Sequence, residues 1–121
     1  MIEILKPDFE FEDERGKLTQ LVREGFTQFN IIFSRTGTFR GNHFHKFNRE
    51  AFFVICGKFE LLAQKDGEEE KFCFSDGDMF LIPPFVNHSF CYHTDTLLAS
   101  MYDVGVELPN GEKDIFVPED K

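Results

Sequence analysis

The sequence predicts an all-β fold, an antiparallel barrel or sandwich, in one domain over residues 1–121. Three observations carry this. Short runs of β-forming residues recur along the chain with turn residues between them. No segment shows a helical period. Seventeen phenylalanines in 121 residues, beside two tyrosines and no tryptophan, supply the apolar bulk that disordered chains lack.

The strands follow in order. Residues 17–23 form the first, and 28–35 the second, with Phe29, Ile31 and Phe33 on one face and Asn30, Ile32 and Ser34 on the other. Residues 50–56 are apolar on both faces and read as an interior strand that Gly57 ends. Residues 58–64 and 71–74 pair across Lys65-Asp66-Gly67-Glu68, because Asp-Gly supports the positive φ of a tight hairpin turn. Asp76-Gly77-Asp78 turns the chain into 79–82, which stops at Pro83-Pro84 because proline donates nothing to a ladder. Residues 89–93 and 96–102 complete the series. The first 14 residues and the tail from Glu107 lie outside it, as edge strands, dimer contacts or loosely ordered termini.

Net charge is −9, which argues against nucleic-acid binding. Residues 15–58 nevertheless carry a local excess of +6, read either as a solvated face or as an anion pocket for a phosphorylated ligand. No apolar run reaches the ~20 residues of a membrane span, and the N-terminus lacks the apolar core of a secretion signal. A cytoplasmic protein without membrane contact is expected. Cys56, Cys73 and Cys91 sit among apolar neighbours and are expected to be buried, reduced thiols. The phenylalanines exceed what one small interior holds, so a homodimer is expected.

Four histidines exist: His43, His45, His88 and His93. In a strand, His43 and His45 project from one face, roughly 6–7 Å apart, and Phe44 points the other way. Two imidazoles so placed converge on one ion. A chain reversal after Lys46–Arg49 brings Glu50 beside them on a neighbouring strand, and His88 closes the set from another hairpin. Three imidazoles and a carboxylate suit Zn²⁺, Mn²⁺, Fe²⁺ or Ni²⁺. His93, in Tyr92-His93-Thr94-Asp95, reads as surface beside a turn.

The spacing of Gly37, His43, His45, Glu50 and Gly57 resembles the first cupin motif, and Gly77, Pro83 and His88 resemble the second. Phe85 stands where that motif has Gly, and Tyr92 where it has Asn. Over about residues 30–104 the resemblance implies a small antiparallel jelly-roll barrel. It also implies His43, His45, Glu50 and His88 as metal ligands, or a polar pocket that works without metal.

Asp13-Glu14-Arg15-Gly16, Phe26-Thr27-Gln28-Phe29-Asn30, Arg40-Gly41-Asn42-His43 and Pro83-Pro84 with His88-Ser89-Phe90 narrow this further. Over residues 9–104 they resemble the deoxysugar branch of the cupins: dTDP-4-keto sugar 3,5-epimerases, 3,4-ketoisomerases and the cupin domain of bifunctional capsular-sugar enzymes. The ketoisomerases place a Tyr ahead of His-x-His, where this chain has Ile31, Ile32 and Phe33.

The resemblance implies proton transfer next to the ketone of a nucleotide-linked 4-keto-deoxysugar, in surface polysaccharide biosynthesis. If the histidines bind metal, the base is Tyr92, Tyr102 or His93; if not, His43 is the base. Arg15 and Arg40 are the matched candidates to hold a diphosphate, and Gln28 is a further ligand-binding candidate. Arg35, Lys46 and Arg49 read as solvated charge. Phe39, Phe47, Phe52, Phe53, Phe80, Phe85 and Phe90 are expected to wall the pocket. The alternatives are a dioxygenase-like metal cupin and a non-catalytic cupin that binds a sugar or small metabolite.

Overall fold

Two antiparallel sheets face each other and enclose the core. A computed structural model describes residues 1–118; the last three residues of the expected tail lie outside the described residues. The strands are β1 (Glu3–Leu5), β2 (Phe9–Asp13), β3 (Gly16–Gln20), β4 (Gln28–Ser34), β5 (Phe39–His43), β6 (Glu50–Cys56), β7 (Lys58–Lys65), β8 (Glu68–Ser75), β9 (Met79–Ile82), β10 (Asn87–Tyr92) and β11 (Thr96–Tyr102). One sheet runs β1-β9-β6-β11-β4 and the other β5-β10-β7-β8, while among the described residues β2 and β3 pair only with each other. This is the small jelly-roll barrel. No helix among the described residues is long and apolar enough to cross a membrane.

Strand alternation decides what enters the core. Phe52 and Val54 of β6, Phe59, Leu61 and Ala63 of β7, Phe74 of β8, Phe80 and Ile82 of β9, Phe90 and Tyr92 of β10 and Leu98 of β11 meet between the sheets. Their rings pack closely: Phe74 and Phe80 stack at 4.2 Å between centroids, and Phe52 and Phe80 at 5.1 Å. The back of the five-stranded sheet buries a smaller cluster, Ala51, Met79, Leu81 and Met101, under Leu21, Val22 and Phe26. That cover explains why β6 is apolar on both faces.

The same alternation corrects the cysteine expectation. Cys73 is exposed and Cys91 partly so, because the phenylalanines and tyrosine on either side of each point inward and turn the thiol out. Cys56, at the end of β6, is also exposed. In β4 the inward face is the mixed one, and Phe29, Ile31 and Phe33 face outward at 60%, 67% and 49% exposure. Strand β1 is an edge strand, as one expectation had it; the N-terminal hairpin β2–β3, in contrast, joins neither main sheet.

Backbone geometry explains two motif residues. Gly41 has φ +95, and an added Cβ would lie 2.6 Å from the His88 carbonyl oxygen. Only glycine lets β5 approach β10 here, at the bulge that turns His43 inward. Phe85 has φ +68, the left-handed conformation that glycine adopts without cost. Its ring stacks on Phe44, and its N–H donates to the His45 carbonyl at 2.7 Å. Gly41→Ala is expected to destabilise the fold by about 2 kcal/mol, read as a lower urea midpoint with unchanged slope.

Candidate functional site

Both sheets contribute to one interior cluster. His43 ends β5 and His88 lies opposite it on β10. His45 follows β5 in the loop. Glu50 begins β6, in the other sheet, and so reaches across the barrel; it does not come alongside on a neighbouring strand of the same sheet. The loop from Phe44 to Arg49 crosses between the sheets, which is why a five-residue spacing suffices.

The three imidazoles form a triangle, with ring centroids 4.6 Å apart for His43–His88 and 5.2 Å for the other two pairs. One ring nitrogen of each lies within 4.8 Å of those of the other two. His45 and His88 are each 1% exposed and Glu50 3%. Glu50 Oε1 stands 3.0 Å from His45 Nε2 and 3.8 Å from His88 Nε2. Its other oxygen accepts from Ser100 Oγ at 2.7 Å.

The outer nitrogens define the proton positions. A carbonyl only accepts, so His45 Nδ1–H donates to Asp114 O at 2.6 Å and His88 Nδ1–H to Val86 O at 3.0 Å. Nε2 is then the atom that each ring turns toward the cluster, as a lone pair when the ring is neutral. His88 Nε2 is buried without a hydrogen-bond partner among the described residues. The His45 lone pair would face a carboxylate oxygen, which is repulsive unless a proton or a cation lies between them. This donor set fits a divalent cation: imidazoles held by their far nitrogens, with a buried carboxylate beside them.

Burial lowers the pKa of His88 to about 4, against the pull of Glu50. Burial and the neighbouring His45 also lower that of His43. For His45, burial is outweighed by the Glu50 and Asp114 contacts, and its pKa is raised. Burial alone would push the Glu50 carboxyl up, but the bond from His45 and the nearby imidazoles hold it down.

The cluster opens on a cavity of about 450 Å³. Phe39, Phe52, Phe90, Tyr92 and Tyr102 line it with Ile32, and Arg40 stands at its mouth. Arg40 is braced there by Nε–H to Ser34 Oγ at 2.7 Å and by a second bond to Phe33 O. Burial and the facing Glu50 push the Tyr102 phenol far above its ordinary range, and burial raises Tyr92. Both are neutral phenols at physiological pH.

Other candidates lie elsewhere. Arg15 sits at the β2–β3 turn, 79% exposed and 2.6 Å from Asp13, away from the cavity lining. Gln28 Oε1 accepts the Val106 N–H at 2.9 Å and anchors the tail outside the lining. His93 is exposed. The aromatic wall is smaller than expected. Phe47 and Phe85 are exposed, Phe53 faces the smaller cluster behind the sheet, and Phe80 is held in the main core. Sequence reading missed Ser34, Ser100 and Asp114. Ser100 carried a signal, as the polar residue between Leu98 and Tyr102 on the inward face of an apolar strand. Asp114 carried none.

No curated protein sequence matches the chain. Among solved structures, it is similar to the dTDP-4-dehydrorhamnose 3,5-epimerase from Sulfolobus tokodaii, with 25% identity and a TM-score of 0.71 over 84% of this chain and 69% of that one. It is similar to QdtA, a sugar 3,4-ketoisomerase from Thermoanaerobacterium thermosaccharolyticum in complex with TDP, with 20% identity and a TM-score of 0.73 over 84% and 80%. The capsular polysaccharide assembling protein CapF from Staphylococcus aureus aligns over 93% of this chain and 32% of that one, at 24% identity and a TM-score of 0.68. The first two are a dTDP-sugar epimerase and a sugar ketoisomerase, the kinds of enzyme that the sequence motifs resemble. Residues 11–102 match the family described as polysaccharide biosynthesis C-terminal domain, and the chain, a small cupin jelly roll, belongs to that family.

Proposed function

We propose that this chain is a metal-binding cupin that acts as an isomerase or epimerase on a nucleotide-linked 4-keto-deoxysugar. The observation that carries the reading is the Nε2 of His88, without a hydrogen-bond partner among the described residues, clustered with two further imidazoles and beside Glu50 at a cavity that His43, Glu50, His88 and Arg40 line. His43, His45, Glu50 and His88 would hold the ion. A divalent cation there would polarise a ketone oxygen and offset the negative charge that grows as the adjacent C–H loses its proton.

The chain's own groups supply the rest. Arg40 presents a guanidinium suited to a diphosphate, and Phe39 beside it an apolar face for a base or sugar. QdtA, solved with TDP, supports a nucleotide diphosphate as the handle. Tyr92 and Tyr102, as neutral phenols, are proton donors to a developing oxyanion or carbanion. With a cation bound, the base has to come from outside the ligand set. In a metal-free site, His43 is the base: its lowered pKa keeps it neutral, and it is the most open of the three rings. The homodimer belongs to the same proposal. Strand β4 is an edge with an outward Phe29–Ile31–Phe33 face, and a second copy is the occupant proposed for it.

Two measurements test this. Wild-type protein is expected to carry stoichiometric metal by mass spectrometry, with His45→Ala depleted. It is also expected to exchange solvent deuterium into a dTDP- or UDP-linked 4-keto-deoxysugar, and His43→Asn to lose on the order of 10²-fold or more of that rate. Absence of exchange with every such sugar would sink the enzymatic reading, and metal-free wild type the four-ligand site.

Acid is expected to destabilise the metal-free protein. In the metal-free protein His88 stays neutral until about pH 4, whereas an unfolded histidine titrates near 6.5. The unfolded chain therefore binds the extra proton first. His88's contribution to stability is complete above pH 6.5 and is lost as pH falls to about 4, amounting to about 3 kcal/mol. Ring NMR should show His88 neutral at pH 6; a protonated ring there would contradict the assignment.

A further inference from the structure

The family match ends at Tyr102, yet the segment beyond it closes on the cluster. We propose that Asp114 is a positioning residue: it fixes the proton of His45 on Nδ1 and so makes Nε2 the atom that His45 offers to the cluster. The geometry of this device is independent of the proposed function; only its consequence for cation binding rests on that reading.

Asp114 is fully buried and bonds through both ends. Its main-chain oxygen accepts from His45 Nδ1 at 2.6 Å. Its carboxylate accepts the backbone N–H of Lys46 at 2.8 Å, those of Phe47 and Asn48 at 3.0 Å each, and the Asn48 side chain at 2.8 Å. All four donors belong to the loop that directly follows His45. A carbonyl on a free loop would drift relative to the ring. Here the same residue is tied to the segment that carries the ring, so acceptor and imidazole move together.

Other contacts seat the segment. Phe116 and Phe44 exchange backbone bonds at 2.9 and 3.0 Å, and Asp114 N–H donates to Val106 O at 2.7 Å. Asn48 bonds the Gly105 carbonyl and accepts the N–H groups of Val104 and Gly105. The two ring tautomers of a free histidine are close in energy, so one hydrogen bond to an oxygen that only accepts decides between them. Residues that fix a ligand imidazole in this way typically change metal affinity 10–100-fold when lost.

The test is ring NMR on ¹⁵N-histidine-labelled, metal-free full chain, joined to titration with Zn²⁺ as the probe. In wild type, Nδ1 of His45 is expected to carry a slowly exchanging proton; an unprotonated Nδ1 would overturn the proposal without any variant. Asp114→Ala is expected to release that proton to fast exchange and to weaken Zn²⁺ binding about 10–100-fold. Asp114→Asn, which keeps one acceptor oxygen, should recover part of both and serves if the alanine variant does not fold. Asp103→Ala removes a neighbouring bond, from the Arg49 N–H to the Asp103 carboxylate, and should leave the His45 proton in place. Equal loss in Asp103→Ala, or an unchanged proton and affinity in the Asp114 variants, would overturn the proposal. If wild type takes up no Zn²⁺ while the Asp114 variants still free the proton, the positioning role stands and the metal reading fails.

Discussion

A carboxylate with almost no access to water sets the terms for the interior. Glu50 is 3% exposed, and a buried charge is costly unless it is paired and hydrogen-bonded. It bonds His45 of the loop after β5 and Ser100 of β11, and His88 of β10 in the opposite sheet stands 3.8 Å away. The two sheets cannot separate or slip by one residue without stranding that charge. The bonds from His45 and Ser100 that hold this carboxylate also hold it beside the imidazole cluster, so keeping the fold intact and keeping the site formed are one requirement.

The barrel divides its labour along each strand. Apolar side chains fill the closed end between the sheets, and the polar cluster occupies the other end beside the cavity. On β10 the change happens within two residues, from Phe90 in the core to His88 in the cluster. On β6 it runs from Val54 and Phe52 to Glu50. Phenylalanine serves both ends, since rings that complete the core at Phe52 and Phe90 also form the cavity wall. An apolar wall lowers the local dielectric and strengthens every charged contact made inside it.

Much of the fold was legible because the strands are short, alternate cleanly and are separated by turn residues with one conformational use. Asp66-Gly67 forms the tight turn between β7 and β8 with both residues at positive φ. Strand β8 runs three residues earlier than its apolar stretch suggested, because Glu68–Glu70 pair on an exposed sheet edge where only backbone bonding is required. The convergence of His43, His45, Glu50 and His88 was legible from spacing, but the sheet that each came from was not. Nothing in a linear pattern says that a loop crosses from one sheet to the other. Asp114 was illegible for a similar reason: the oxygen that meets His45 is a main-chain one, which every residue possesses, and its carboxylate bonds a loop far away in sequence. Gln28 sat within a matched motif, yet its amide holds the tail, a choice that only the packing of the tail could reveal.

The bridge between Phe44 and Phe116, like the pairing of β4 with β11 and of β1 with β9, joins parts of the chain that lie far apart in sequence. Each such closure loses conformational entropy before it gains contacts, so this barrel belongs with the slow-folding topologies. The four groups of the cluster meet only when those closures are made. Anything that binds the finished cavity therefore arrives too late to guide the chain toward it, and acts instead by delaying escape. Its signature is a slower unfolding rate with the refolding rate left alone.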